Sequence, residues 1–145
     1  MLEIRTGEDF LFTDSGLYTC RLAVMTENGV FPDEEWTDFA GVVLKWWTDA
    51  VLQRAACEGA LFELLFMDGP YRICGRREGE NVRLWILRDD REMLPAQTIP
   101  YGELVQALLR AVRRLKSGLS RMGRREEAAR TDELLLRLKK AAGSE

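Results

Sequence analysis

Short runs of alternating apolar and polar residues, separated by turn residues, fill most of the first hundred positions and predict β-strands. The pair Asn28-Gly29 predicts a hairpin, because this dipeptide favours the tight turns that join antiparallel strands. Three further strands, at 61–67, 71–77 and 82–87, are joined by short turns and predict an antiparallel meander. The strand at 61–67 is apolar at almost every position, which predicts burial on both of its faces.

Three segments have helical periodicity instead. From Trp36 to Leu52, apolar residues recur three and four positions apart, which predicts an amphipathic helix with an aromatic face. This helix is expected to begin near Asp33, whose side chain can cap it. A second apolar stripe begins at Tyr101 and is interrupted at Gly123, and a further helix is predicted over 125–142.

Together these elements predict one α+β domain spanning residues 1–145, with an α+β body at 1–100 and a helical segment at 101–145. We expect the order ββ-α-βββ-αα and a twisted antiparallel sheet of about five or six strands. The aromatic helix packs across one face, and the C-terminal helical pair packs at an edge or on that same face. A chain of 145 residues can bury a sufficient core without disulfides.

The composition excludes several kinds of chemistry. The chain contains no histidine, so Ser-His-Asp and Cys-His catalysis and zinc sites of the Cys/His kind are excluded. Three widely spaced cysteines and the absence of glycine-rich phosphate loops predict neither a metal nor a cofactor. No apolar run approaches the ~20 residues of a membrane helix, and no signal peptide is visible. We therefore expect a cytoplasmic protein without a membrane partner.

Charge is distributed unevenly along the chain. Residues 1–109 contain 10 Lys and Arg against 19 Asp and Glu, a net charge of −9, whereas residues 110–140 contain 11 against 4, a net charge of +7. The basic segment lacks interleaved aromatic residues, so a nucleic-acid partner is not expected. Two explanations stay open: separate binding surfaces, or a basic tail that packs across the acidic body.

Acidic residues beside the aromatic helix are the candidate partner contacts. An acidic surface would attract a basic protein electrostatically. Glu34 and Glu35 have an alternative role at the helix start, where the helix dipole favours negative charge. The predicted contacts are Glu34, Glu35, Asp38, Asp49 and, in a turn between two strands, Asp68.

An aromatic contact is predicted from the pair Trp46-Trp47. Adjacent helical residues point about 100° apart, so at most one of the two indoles faces the centre of the buried side. The other is expected at the margin, where an exposed indole can anchor a protein partner. Trp47 is the predicted contact.

Two motifs resemble small bacterial proteins, some of which are similar to immunity proteins of polymorphic toxin systems. The first is FPDEEWTDF at 31–39, continued by LKWW at 44–47, and the second is FMDGPY at 66–71. The resemblance covers residues 17–88 and brings no catalytic residues with it. It implies a non-enzymatic domain that acts by binding and blocks a toxin. The net charge of −9 over residues 1–109 adds the expectation that this toxin domain is basic. Two alternatives stay open: a structural protein that dimerises through its C-terminal helices, and a small enzyme that uses carboxylates.

Overall fold

The strands divide between two antiparallel sheets in the computed structural model, which describes residues 1–67 and 69–143. The first sheet contains β1 (Leu2–Thr6), β2 (Leu11–Phe12), β3 (Tyr18–Thr26), β4 (Gly29–Phe31) and β5 (Thr37–Asp38). The second contains β6 (Leu61–Leu65), β7 (Tyr71–Glu78), β8 (Asn81–Arg88) and β9 (Arg91–Pro100). The α+β class and the antiparallel pairing are confirmed, and the strands form two sheets where one was expected.

Strand β3 organises the first sheet, since β1, β2, β4 and β5 all pair with it. The hairpin predicted from Asn28-Gly29 is present, with Thr26 paired to Gly29. The second sheet is the expected meander in the order β6-β7-β8-β9, which leaves β6 at one edge. Its last strand, β9, contains register shifts opposite Leu84–Leu87.

The aromatic helix begins later than its periodicity predicts. Helix α1 spans Ala40–Asp49 and continues as a π-helical turn over Ala50–Arg54. The preceding residues are held elsewhere: the Asp33 carboxylate accepts the Glu35 N–H at 2.8 Å, and β5 pairs with β3. Trp36 therefore lies in a loop. The three-residue spacing between Trp36 and Phe39 does not reflect a helix.

The C-terminal helical pair is confirmed, with a short additional helix in its connection. Helix α2 (Tyr101–Arg121) is followed by α3 (Arg125–Arg130) and α4 (Asp132–Gly143). The predicted break lies at Gly123, which has a positive φ of 75°. Helix α2 packs on β1 and on α4, so most of its apolar positions are buried within the chain.

One hydrophobic core joins both sheets and the helices. Helix α1 contacts β3 of the first sheet and β6 of the second, and thereby lies between them at the β6 edge. Of the helices in the described residues, none is long and apolar enough to cross a membrane. The position of α1 determines which of its side chains reach the surface.

Helix α2 approaches the turn after β1 so closely that glycine is required on both sides. A Cβ atom on Gly118 would lie 2.5 Å from the Gly7 carbonyl oxygen, and one on Gly7 would lie 2.6 Å from the Arg114 carbonyl oxygen. In an unobstructed helix interior, alanine is about 1 kcal/mol more favourable than glycine. Here the contact is with backbone, which cannot rotate away.

We expect Gly118→Ala to lower the free energy of unfolding by about 1–3 kcal/mol, because the helix must shift to admit the methyl group. Urea denaturation followed by circular dichroism measures the change. Ser117→Ala, at an exposed position on the same helix, is the control and should change stability by less than about 0.5 kcal/mol. A stabilised Gly118→Ala variant would contradict the close approach.

Candidate partner-binding groove

The predicted acidic contacts do not form one surface. Glu34 and Glu35 are exposed in the connection between β4 and β5, where they do not belong to a helix. They remain available to a partner. Asp68 lies outside the described residues.

Asp38 is buried, with 4% of its surface exposed. Its carboxylate accepts hydrogen bonds from the Trp36 indole at 3.1 Å and from the backbone N–H groups of Phe39 at 2.8 Å and Met67 at 3.1 Å. The bond to Met67 connects β5 of the first sheet to the end of β6 in the second. The prediction placed Asp38 on the surface as a partner contact, and this is wrong because the residue is buried. Its carboxylate instead forms a hydrogen bond that links the two sheets.

Asp49 is half-buried and engaged by two cations. Its carboxylate lies 3.2 Å from the Lys45 ammonium and 2.9 Å from the Arg137 guanidinium of helix α4. Partial burial opposes its ionisation, but the hydrogen bonds from Arg137 and Lys45 outweigh that effect and lower the pKa of Asp49. Arg114 of α2 similarly pairs with Glu3 at 3.0 Å. These contacts favour the second explanation of the charge asymmetry, a basic tail packed across the acidic body.

The exposed tryptophan is Trp46 and not Trp47. Trp47 has no exposed surface, packs edge-on against Phe66 and donates its indole N–H to the Leu65 carbonyl at 2.8 Å. Trp46 is 41% exposed. One of the two indoles lies at the margin of the buried side of α1, as expected. The choice of Trp47 as the exposed contact was wrong, because α1 turns Trp47 towards the core and Trp46 towards the surface.

A groove lies between helix α1 and the outer side of strand β6. It encloses about 670 Å³, within the size range of ligand and partner sites. We call it the Trp46 groove. It is lined by residues of α1, of β6 and of the outer face of the second sheet, among them Trp46, Ala50, Gln53, Leu61, Leu65 and Trp85.

Exposed apolar side chains concentrate in the Trp46 groove. Of the nine large apolar side chains exposed among the described residues, three line it: Trp46 at 41%, Leu61 at 63% and Leu65 at 42%. Scattered exposed leucines are ordinary, but adjacent ones with an indole in one concave surface are typical of interaction sites. Sequence reasoning missed this surface because it predicted β6 to be buried on both faces. In the structure Phe62 and Leu64 face the core, and Leu61, Glu63 and Leu65 face outward.

A second, smaller cavity of about 290 Å³ lies beside Tyr18, between α1 and helices α3 and α4. Burial raises the pKa of the Tyr18 hydroxyl, and the nearby Cys20 and Glu127 raise it further. A tyrosine with a raised pKa is a poor base at neutral pH. Within the described residues, no group of three or more Cys, Asp or Glu side chains could hold a metal ion. Of the exposed large apolar side chains in the described residues, Leu17 alone lines this cavity, whereas three line the Trp46 groove, which is therefore the stronger candidate for a partner contact.

No family model, curated protein or solved structure matches the chain.

Proposed function

We propose that the chain is a non-enzymatic protein-binding domain whose contact surface is the Trp46 groove. The observation that carries the proposal is the convergence of Trp46, Leu61 and Leu65 in one exposed concave surface. Tryptophan is one of the residue types enriched at the energetic centres of protein interfaces. The groove offers mostly apolar side chains, which suit contact with a protein surface.

We further propose that the partner is a toxin domain, which the chain neutralises by direct binding. The support is the resemblance of residues 17–88 to small bacterial proteins similar to immunity proteins. The net charge of −9 over residues 1–109 adds to it, since toxins that act on nucleic acid are commonly basic. The exposed Glu34 and Glu35 can attract such a domain from a distance.

A homodimer through the C-terminal helices has less support. Leu134, Leu135 and Leu138 of α4 are buried against the rest of the chain, and in the described part of the C-terminal helical segment only Leu136 and Met122 are exposed large apolar side chains. These two side chains do not make the large apolar surface that a stable dimer needs.

The proposal predicts that Trp46→Ala and Leu61→Ser each weaken the complex by about 2 kcal/mol, roughly thirtyfold in Kd. The test partner is the C-terminal domain encoded by the gene next to that of this chain. Binding is measured by isothermal titration calorimetry, and neutralisation is measured by growth of cells that express the domain with each variant.

Leu136→Ala is the matched control, because it removes an exposed leucine from helix α4 and is expected to change neither binding nor growth. A neighbouring domain that is not toxic, or that binds both groove variants as tightly as the unmodified chain, would refute the proposal.

A further inference from the structure

The cavity beside Tyr18 has mostly apolar walls. This Tyr18 cavity encloses about 290 Å³ between the turn before β3, the start of α1 and helices α2, α3 and α4. Its apolar side chains are those of Leu17, Phe39, Val42, Leu115 and Leu134. Ligand sites in proteins are mostly apolar and contain a few polar groups that fix the orientation of the ligand. Since an apolar cavity of about 150 Å³ accepts benzene, the Tyr18 cavity has room for one aromatic ring with a short substituent.

The Tyr18 side chain is held in a defined position in the wall of this cavity. Its ring packs against Phe10 and Phe12, with centroid distances of 6.0 and 5.9 Å. The hydroxyl oxygen reaches the first turn of α1 at Gly41, where a Cβ atom would come within 2.6 Å of it. The absence of a side chain at Gly41 therefore leaves space beside the hydroxyl.

The Tyr18 hydroxyl makes no hydrogen bond within the described residues. The other hydroxyl in the wall belongs to Thr131 and is engaged, since it donates to the Ala128 carbonyl at 2.7 Å. A largely buried tyrosine hydroxyl usually has a hydrogen-bond partner. Burial also raises the pKa of Tyr18, so the hydroxyl stays protonated at neutral pH and keeps its proton to donate. A ligand in the cavity can accept this hydrogen bond.

The charged side chains of the wall balance each other. Lys45 and Arg130 contribute two positive charges, and Glu127 and Glu133 contribute two negative charges. Both cations already pair with carboxylates of their own helices, at 3.2 and 3.0 Å. Burying a charge without a partner costs far more free energy than burying a neutral group. The walls therefore favour a neutral ligand.

We infer that the Tyr18 cavity binds a small neutral molecule, the size of one aromatic ring with a short substituent, that accepts a hydrogen bond from the Tyr18 hydroxyl. Ketones, esters and amides have such an acceptor. The Tyr18 cavity shares no lining residue with the Trp46 groove, so this site is separate from the proposed partner contact.

Three probes of nearly the same shape test the inference. Acetophenone has a neutral carbonyl acceptor, α-methylstyrene has a CH₂ group in place of that oxygen, and benzoate has a negative charge. Titration of the methyl-labelled chain, followed by the methyl chemical shifts of Val42, Leu115 and Leu134, measures the affinity and locates the site. We expect acetophenone to bind there with a Kd on the order of 0.1–1 mM, and benzoate to bind at least about tenfold more weakly.

Tyr18→Phe tests the hydrogen bond, because it keeps the ring and removes the hydroxyl. Acetophenone should bind roughly threefold to tenfold more weakly to this variant, while α-methylstyrene should bind within about twofold of its affinity for the unmodified chain. The melting temperature should stay nearly unchanged, since the hydroxyl makes no bond within the described residues. Tyr71→Phe, which removes the same group from strand β7 outside the cavity, is the control and should change neither affinity.

Four results would overturn the inference. They are the absence of saturable shifts at the methyl groups of the cavity, shifts that centre instead on Leu61 and Leu65 of the Trp46 groove, an equal effect of Tyr18→Phe on acetophenone and α-methylstyrene, and benzoate binding as tight as that of acetophenone. The last of these would identify an anion site at Lys45 and Arg130. The proposed function does not depend on these results, because Trp46→Ala tests it separately.

Discussion

Trp47→Ala is expected to lower the free energy of unfolding by about 3–5 kcal/mol. The indole is fully buried, packs against Phe66 at a centroid distance of 5.2 Å and bonds to the Leu65 carbonyl. Alanine would leave a cavity between α1 and β6 and remove the donor to that carbonyl. Urea denaturation followed by far-ultraviolet circular dichroism measures the loss.

The adjacent tryptophan supplies the control. Trp46→Ala removes the same side chain from the same helix, but from a position that is 41% exposed, so a loss of about 1 kcal/mol or less is expected. Trp47→Phe should fall between the two, since it retains most of the packing and loses the hydrogen bond. Equal losses for Trp46→Ala and Trp47→Ala would contradict the burial of Trp47 and reopen the assignment of the exposed indole.

The positions of β7, β8 and α2 were predictable because each depends on neighbours in sequence. Strand β9 and the short helix α3 were not predicted. The tight turns and the period-two alternation of β7 and β8 give the meander, and Gly123 marks the end of α2. The α1 start was not predictable in the same way. Trp36 and Phe39 have helical spacing, but Thr37 and Asp38 between them pair with β3, which holds this part of the chain extended.

The candidate site was harder to predict because it depends on which sheet face is covered and on the rotation of one helix. The apolar sequence of β6 is compatible with a strand buried on both faces, and Leu61 and Leu65 are exposed because they lie on the solvent-facing outer side of the second sheet. A helix that begins at Ala40 turns Trp47 inward and Trp46 outward, a difference of about 100° that periodicity alone could not assign. The ion pair of Asp49 with Arg137 joins residues far apart in the chain.

The second large effect is expected at Asp38, where alanine should lower the free energy of unfolding by about 3–5 kcal/mol. Its carboxylate satisfies three donors, the Trp36 indole and the backbone N–H groups of Phe39 and Met67. Burial keeps water from replacing it, so each donor would lose its acceptor. Because the Met67 bond crosses between the sheets, the loss is expected to loosen their contact as well.

Asp38→Asn and Trp36→Phe separate these contributions. Asparagine keeps one acceptor oxygen, so an intermediate loss is expected, while Trp36→Phe removes one donor together with part of the packing against Tyr71. In a double-mutant cycle, Asp38→Ala and Trp36→Phe should couple by about 1–3 kcal/mol. Glu35→Ala, which removes an exposed carboxylate three residues away, is the control and should change stability by less than about 0.5 kcal/mol. If Asp38→Ala were as mild as Glu35→Ala, this carboxylate would not connect the sheets, and its predicted role as a partner contact would become the better explanation.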